Sequence, residues 1–172
     1  MSEVIILNGP PGVGKSAVTA ILRTFLPGTV AISGAELRGF APPNARAHLG
    51  GGATYRVAGA LSAEFLRLGA ERVIFDYVFL RAAHFRYFRE ALPVTTPLIF
   101  TLWAPLETVI ARDGARAAGP RFELATRDCY QEIAKNLAQM GQIIDMEAAL
   151  PEPTARRIHE LTLSSASGVT GA

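Results

Sequence analysis

Eight residues near the start, Gly9-Pro10-Pro11-Gly12-Val13-Gly14-Lys15-Ser16, have the types and spacing of a phosphate cradle. Glycines at the first, fourth and sixth places let the backbone curl so that successive N–H groups point at one anion. Lys15 supplies an ammonium able to reach β- and γ-phosphates, and the Ser16 hydroxyl is a ligand for Mg²⁺. Ala17 follows at the start of a helix, whose positive N-terminal end adds to the attraction. The octet fits G-x-x-x-x-G-K-[ST] and calls for a nucleoside triphosphate: ATP, with GTP as the alternative.

Two further groups carry chemistry. Asp76 ends the apolar run "RVIFD", where a carboxylate at the carboxyl edge of a parallel strand can hold Mg²⁺ or accept a proton from a substrate hydroxyl. Arg112, Arg116 and Arg121 bracket the Gly/Pro stretch in "ARDGARAAGPR", a segment able to close over a triphosphate and set guanidinium groups on the transferring phosphoryl. Arg112 and Arg116 are the stronger candidates, with Arg116 expected to act in catalysis. No N/T-K-x-D base-reading motif or D-x-x-G switch accompanies the loop, which sets regulatory GTPases aside.

These residues need elements to position them. Val4 to Leu7 is a continuous apolar run, as in a strand buried on both faces, and Ser16 to about Leu26 has helical spacing ended by Pro27-Gly28. Thr29–Ile32, Arg72–Phe79, Leu98–Trp103 and a short strand centred on Ile143-Ile144 complete five strands. Helices are expected over Ala53–Leu68 (stripe Val57, Leu61, Phe65, Leu68), Ala82–Leu92, from Pro105, over Leu124–Met140 and from Pro153 to about Leu163. The stretch "SGAELRGFAPPNARAHLGGGATY" shows no period and reads as a long irregular loop, more often functional than idle. Strands alternating with helices predict a parallel sheet covered on both faces.

At 172 residues with 49% hydrophobic and 19% charged residues, the chain is most simply one globular domain over 1–163, followed by a polar tail, 164–172, expected to be disordered. No apolar run is long enough to span a bilayer and no signal core is evident, so a cytoplasmic protein without a membrane partner is expected. Seventeen Lys+Arg against 15 Asp+Glu is too small a surplus to call for nucleic acid. Only Lys15 and Lys135 are lysines. Cys129 is alone and reads as a small core residue, while His48, His84 and His159 share no metal-ligand spacing. Phe85, Phe88 and Leu92 form a core stripe beneath the arginine-bearing face of their helix.

Together, "VIILNGPPGVGKS", "GAERVIFDYVFL" and "LWAPLETVIARDGAR" resemble the small P-loop kinases of the nucleoside-monophosphate-kinase-like group, and within it chloramphenicol phosphotransferase and the shikimate and gluconate kinases. The resemblance implies a P-loop NTPase three-layer α/β/α sandwich with five parallel strands in the order 2-3-1-4-5. It also implies a short lid over about 112–122, ATP and Mg²⁺ at the loop, and a small hydroxylated acceptor over residues 34–69. On the acceptor side Glu36, Arg38, Tyr55 and Asp76 are the candidate contacts. Arg38 and Arg46 suit an anionic acceptor, Tyr55 and Phe79 an apolar one. One departure matters: "ISGAELRG" has Ala35 where these kinases commonly carry an aspartate that orients or deprotonates the acceptor hydroxyl. Either Asp76 or Glu36 then takes the proton.

The expected activity is transfer of the γ-phosphoryl group of ATP to a small-molecule hydroxyl, by a monomer or homodimer. The rivals are a nucleotide or polynucleotide kinase, a toxin-like sugar-nucleotide kinase, and an ATPase or switch with no acceptor. Loss of one base does not abolish transfer through a loose transition state, which relies on positioning and charge.

Overall fold

A computed structural model describes residues 3–115 and 123–167. In chain order the elements are β1 (Glu3–Asn8), α1 (Lys15–Phe25), β2 (Thr29–Ser33), α2 (Gly34–Gly39), α3 (Pro43–Leu49), α4 (Ala53–Arg67), β3 (Arg72–Asp76), α5 (Ala82–Glu90), β4 (Leu98–Trp103), α6 (Leu106–Gly114), α7 (Glu123–Lys135), β5 (Gln142–Asp145) and α8 (Pro151–Ser167). The five strands form one sheet in the order β2-β3-β1-β4-β5, with every pairing parallel. That is the expected α/β sandwich.

The continuous apolar run of β1 is explained by its central place. Val4 and Ile6 face one layer, Ile5 and Leu7 the other, and all four are fully buried. The first layer packs Ile5 and Leu7 under α1, α6 and α8 through Val18, Leu22, Val109 and Ile158. The second packs Val4, Ile6 and Phe75 under α4, α5 and α7 through Ala58, Phe88 and Ile133. Phe75, Phe79, Phe85 and Phe88 stack or meet edge to face, and burial of each such ring stabilises by about 1.5–3 kcal/mol.

Several sequence expectations are corrected. The apolar stripe assigned to α4 is only half right: Leu61 and Phe65 are half-buried against the core and Val57 and Leu68 are exposed, whereas Tyr55, Ala58, Gly59, Ser62 and Leu66 are buried. The reason is close helix packing, because a side chain at Gly59 would collide with the Phe88 carbonyl of α5. Small residues, not large ones, mark that interface. The stretch after β2 is not an irregular loop, since it holds α2 and α3. Ser33 caps α2 by accepting from the Glu36 N–H at 3.4 Å, and Pro43 opens α3 at its first position. α3 shows no apolar period because none of its residues is buried. β3 stops at Asp76 rather than Phe79, and α7 ends at Lys135, with a 3₁₀ turn over Leu137–Gln139. α8 reaches Ser167, so residues assigned to the tail belong to a helix.

Candidate nucleotide and acceptor site

β1, β2 and β3 end side by side at the C-terminal edge of the sheet, where ligands of open parallel sheets bind. The phosphate loop leaves β1 there. Gly9, Gly12 and Gly14 have φ of 139°, 82° and 110°, the region that side chains resist. A Cβ on Gly12 would lie 2.5 Å from the Val109 carbonyl oxygen, and one on Gly9 2.5 Å from that of Leu102. The loop is therefore clamped against α6 and β4. Helical bonding in α1 begins with Val18 N–H donating to the Gly14 carbonyl at 3.0 Å, so the N–H groups of Lys15, Ser16 and Ala17 precede the ladder. No acidic residue stands in that first turn.

Lys15 Nζ donates to the Gly9 and Pro10 carbonyls at 2.9 and 3.0 Å, which holds the ammonium against the loop it would serve. Asp76 is 8% exposed and stands in register between Leu7 of β1 and Ser33 of β2. The sheet itself thus brings the loop, Asp76 and the start of α2 together. Ala35 and Glu36 are both exposed on α2. Arg38, on the same helix, is close enough to act electrostatically on Tyr55 and on Cys129 of α7.

Other residues are placed differently from expectation. Tyr55 lies below the cleft rather than in it: its ring is 6% exposed and its hydroxyl donates to the Val78 carbonyl at 2.8 Å. Burial, then the charges of Tyr77 and Cys129, hold that phenol well above its usual range. Phe79 is fully buried. Arg112 is turned away from a clamping role, because its guanidinium donates to the carbonyls of Met146 and Glu147 at 2.9 and 3.3 Å and ties α6 to the loop after β5. Arg116 and Arg121, and with them most of the expected lid, lie outside the described residues.

The sequence reading missed three residues. Asn8, fully buried between strand and loop, accepts from Phe79 N–H at 2.7 Å and donates to Thr101 Oγ1 at 3.0 Å, joining β1, β4 and the segment after Asp76. Its place directly before Gly9 was the available signal. Asp113, 5% exposed, accepts from Thr126 Oγ1 at 3.1 Å and packs on Gly12, so α7 is tied to the phosphate loop through α6. Cys129, expected as a small core residue, is half-buried and within electrostatic reach of Lys15. Burial raises its thiol pKa, Lys15 and Arg38 pull it back, and Asp128 adds to the rise.

The described residues contain no group of three or more His, Cys, Asp or Glu able to hold a metal ion. Ser16 and Asp76 supply the hard oxygen donors that suit Mg²⁺, an ion that keeps waters and borrows ligands from phosphates. The glycine cradle, the Lys15 ammonium and the N-terminal end of α1 fit a polyphosphate.

Among solved structures, this chain is similar to a tunicamycin resistance protein from Deinococcus radiodurans, with 24% identity, TM-score 0.70, and 94% of this chain and 96% of that one covered. It is similar to a sugar kinase from Janibacter sp. at 17% identity and TM-score 0.68, over 93% and 94% of the two chains. It is also similar to the shikimate kinase of Acinetobacter baumannii, solved with shikimate, at 19% identity and TM-score 0.61, over 96% and 95%. The chain has the fold of the P-loop kinases. No protein-family model matches the sequence, nor does any curated protein. Within this fold the strand order and the place of the phosphate loop agree with the resemblance read from the sequence. Among the described residues, no helix is long and apolar enough to cross a membrane.

Proposed function

We propose that this chain transfers the γ-phosphoryl group of ATP to a hydroxyl group of a small molecule. The observation that carries the reading is the pairing of the glycine cradle with Asp76 on adjacent strand ends. The acceptor oxygen attacks the γ-phosphorus, the bond to the β–γ bridging oxygen breaks, ADP leaves, and the hydroxyl proton passes to the Asp76 carboxylate. Lys15 exchanges the Gly9 and Pro10 carbonyls for phosphate oxygens and neutralises charge on the transferring group. Mg²⁺, held by Ser16 and Asp76, would screen the phosphates and orient them. Arg116 would add a guanidinium to the same charge. Glu36 and Arg38, exposed on α2, would meet the acceptor, and Glu36 is the second candidate for the proton. The protein would work in the cytoplasm.

The test is incubation with Mg·ATP and a pooled panel of hydroxylated metabolites, nucleosides and antibiotics, read by mass spectrometry. A product heavier by one phosphoryl group, absent with Lys15→Ala, is the expected result. The exposed methyl of Ala35, where the resemblance places a carboxylate, favours one other reading: an ATPase or switch without an acceptor. Slow hydrolysis that no compound in the panel accelerates would decide for it.

A further inference from the structure

Residues Tyr77 to Leu80 leave the sheet directly after Asp76, and each has one backbone group held by a different residue. Tyr77 N–H donates to the Leu7 carbonyl at 3.1 Å. The Val78 carbonyl accepts from the Tyr55 hydroxyl at 2.8 Å. Phe79 N–H donates to Asn8 Oδ1 at 2.7 Å, and Leu80 N–H donates to His84 Nδ1 at 3.1 Å. The second and fourth pins brace each other: the Tyr55 and His84 rings stack at 4.4 Å with 18° between their planes, and Tyr55 also touches Phe79 at 4.8 Å between centroids.

We propose that Tyr55 and His84 are positioning residues for Asp76, fixing segment 77–80 and so the direction in which the carboxylate meets the acceptor. The inference rests on the proposed phosphoryl transfer for its consequence, but not for its geometry. A carboxylate that takes a proton must be held within hydrogen-bond reach of it; the sheet holds Asp76 from its N-terminal side, and on its C-terminal side only the pinned segment 77–80 does. Tyr55 therefore contributes to the acceptor site from beneath it.

The His84 pin works in one protonation state. To accept from Leu80, Nδ1 must be unprotonated, a tautomer assigned by the hydrogen bond itself. The groups around the imidazole are Tyr55 of α4, Arg81 at the start of α5, and Glu132 of α7, which pairs with Arg81 at 2.6 Å. Burial first, then the Arg81 charge, hold the imidazole below its ordinary value. It is neutral at neutral pH, and acid would set an N–H against the Leu80 N–H.

Two measurements on three variants test this: amide hydrogen exchange at Leu80, corrected for intrinsic rate, and steady-state kinetics. His84→Leu keeps bulk but removes the acceptor. We expect Leu80 exchange to rise about ten-fold and kcat to fall about ten-fold, with the KM for Mg·ATP changed less than about two-fold. His84→Asn places an amide oxygen near the Nδ1 position, so it should restore both and keep kcat in acid where the wild type loses it. Tyr55→Phe should loosen Val78 alone and give a smaller loss of kcat. Unchanged Leu80 exchange in His84→Leu overturns the inference, as does lost protection with kcat intact. If the wild type phosphorylates no acceptor, the proposed function fails, and the exchange measurement alone decides whether the segment is pinned.

Discussion

The phosphate-loop side of this cleft and the α2–α3 side, where the acceptor is proposed to bind, are built on opposite principles. At the phosphate loop, Gly9 and Gly12 have positive φ and leave no room for a Cβ against β4 and α6. On the acceptor side, α3 buries nothing, Phe40 is 83% exposed, and Gly39, Gly50 and Gly51 open onto empty space. A triphosphate is the same in every reaction and rewards a rigid mould. An acceptor differs from one kinase to another, and the short helices α2 and α3 proposed to meet it have little core beneath them. Asp76 belongs to the rigid side, although its proposed role is on the acceptor, because it ends a strand that pairs with β1.

The sharpest way to break that comparison is to remove charge from the rigid side while leaving its shape. Lys15→Ala should lower kcat for phosphoryl transfer about 10³-fold, with the melting temperature nearly unchanged. Calorimetry beside the kinetic assay checks both halves. Asp76→Asn keeps size and hydrogen bonding but removes the proton acceptor. It should lower kcat about 10²-fold or more, and a wild-type kcat would move the base to Glu36.

Shape comes next. Gly12→Ala meets both the φ of 82° and the Val109 carbonyl oxygen at 2.5 Å, and should destabilise the fold by about 2 kcal/mol or more while weakening nucleotide binding. Gly39→Ala, where φ is not positive and nothing stands within 4 Å, should change stability by less than about 1 kcal/mol, on the favourable side. Denaturant unfolding of the pair tests whether the contrast is real. A Gly39→Ala as damaging as Gly12→Ala would show that the acceptor side is also tightly made.

The same contrast explains what the sequence disclosed. The cradle and the buried place of β1 were legible because chemistry and burial constrain them: glycine suits φ of 82°, and a strand covered on both faces is apolar at four successive positions, whereas the strand order followed from the resemblance alone. α2 and α3 were not legible, because short helices held by Ser33 and Pro43 rather than by a buried face carry no apolar period. The buried face of α4 was misread because close packing on α5 selects Ala58, Gly59 and Ser62, residues that a search for large apolar side chains passes over. The hydrogen bonds of Asn8 and Tyr55 join elements far apart in the chain, and nothing local announces them.

The smallest effect joins the two sides. Cys129 of α7 is half-buried, feels the charges of Lys15 and Arg38, and its thiol is nonetheless held above its ordinary value by burial. Only the thiolate reacts, so alkylation by iodoacetamide should be slow at pH 7 and should accelerate as pH rises. Lys15 lowers this pKa because its positive charge favours the thiolate. A bound triphosphate neutralises that charge, and Lys15→Ala removes it. Each should therefore slow alkylation at a fixed pH of about 8, by about two- to five-fold, although neither change adds an atom to the thiol's own surroundings. Mass spectrometry of the modified chain over time gives the rates. If Mg·ATP slows the wild type but not Lys15→Ala, while that variant still binds nucleotide, the effect is electrostatic and α7 senses the nucleotide through Lys15. Equal slowing in both proteins would mean that the nucleotide shields the thiol directly, and would place Cys129 on the wall of the nucleotide site.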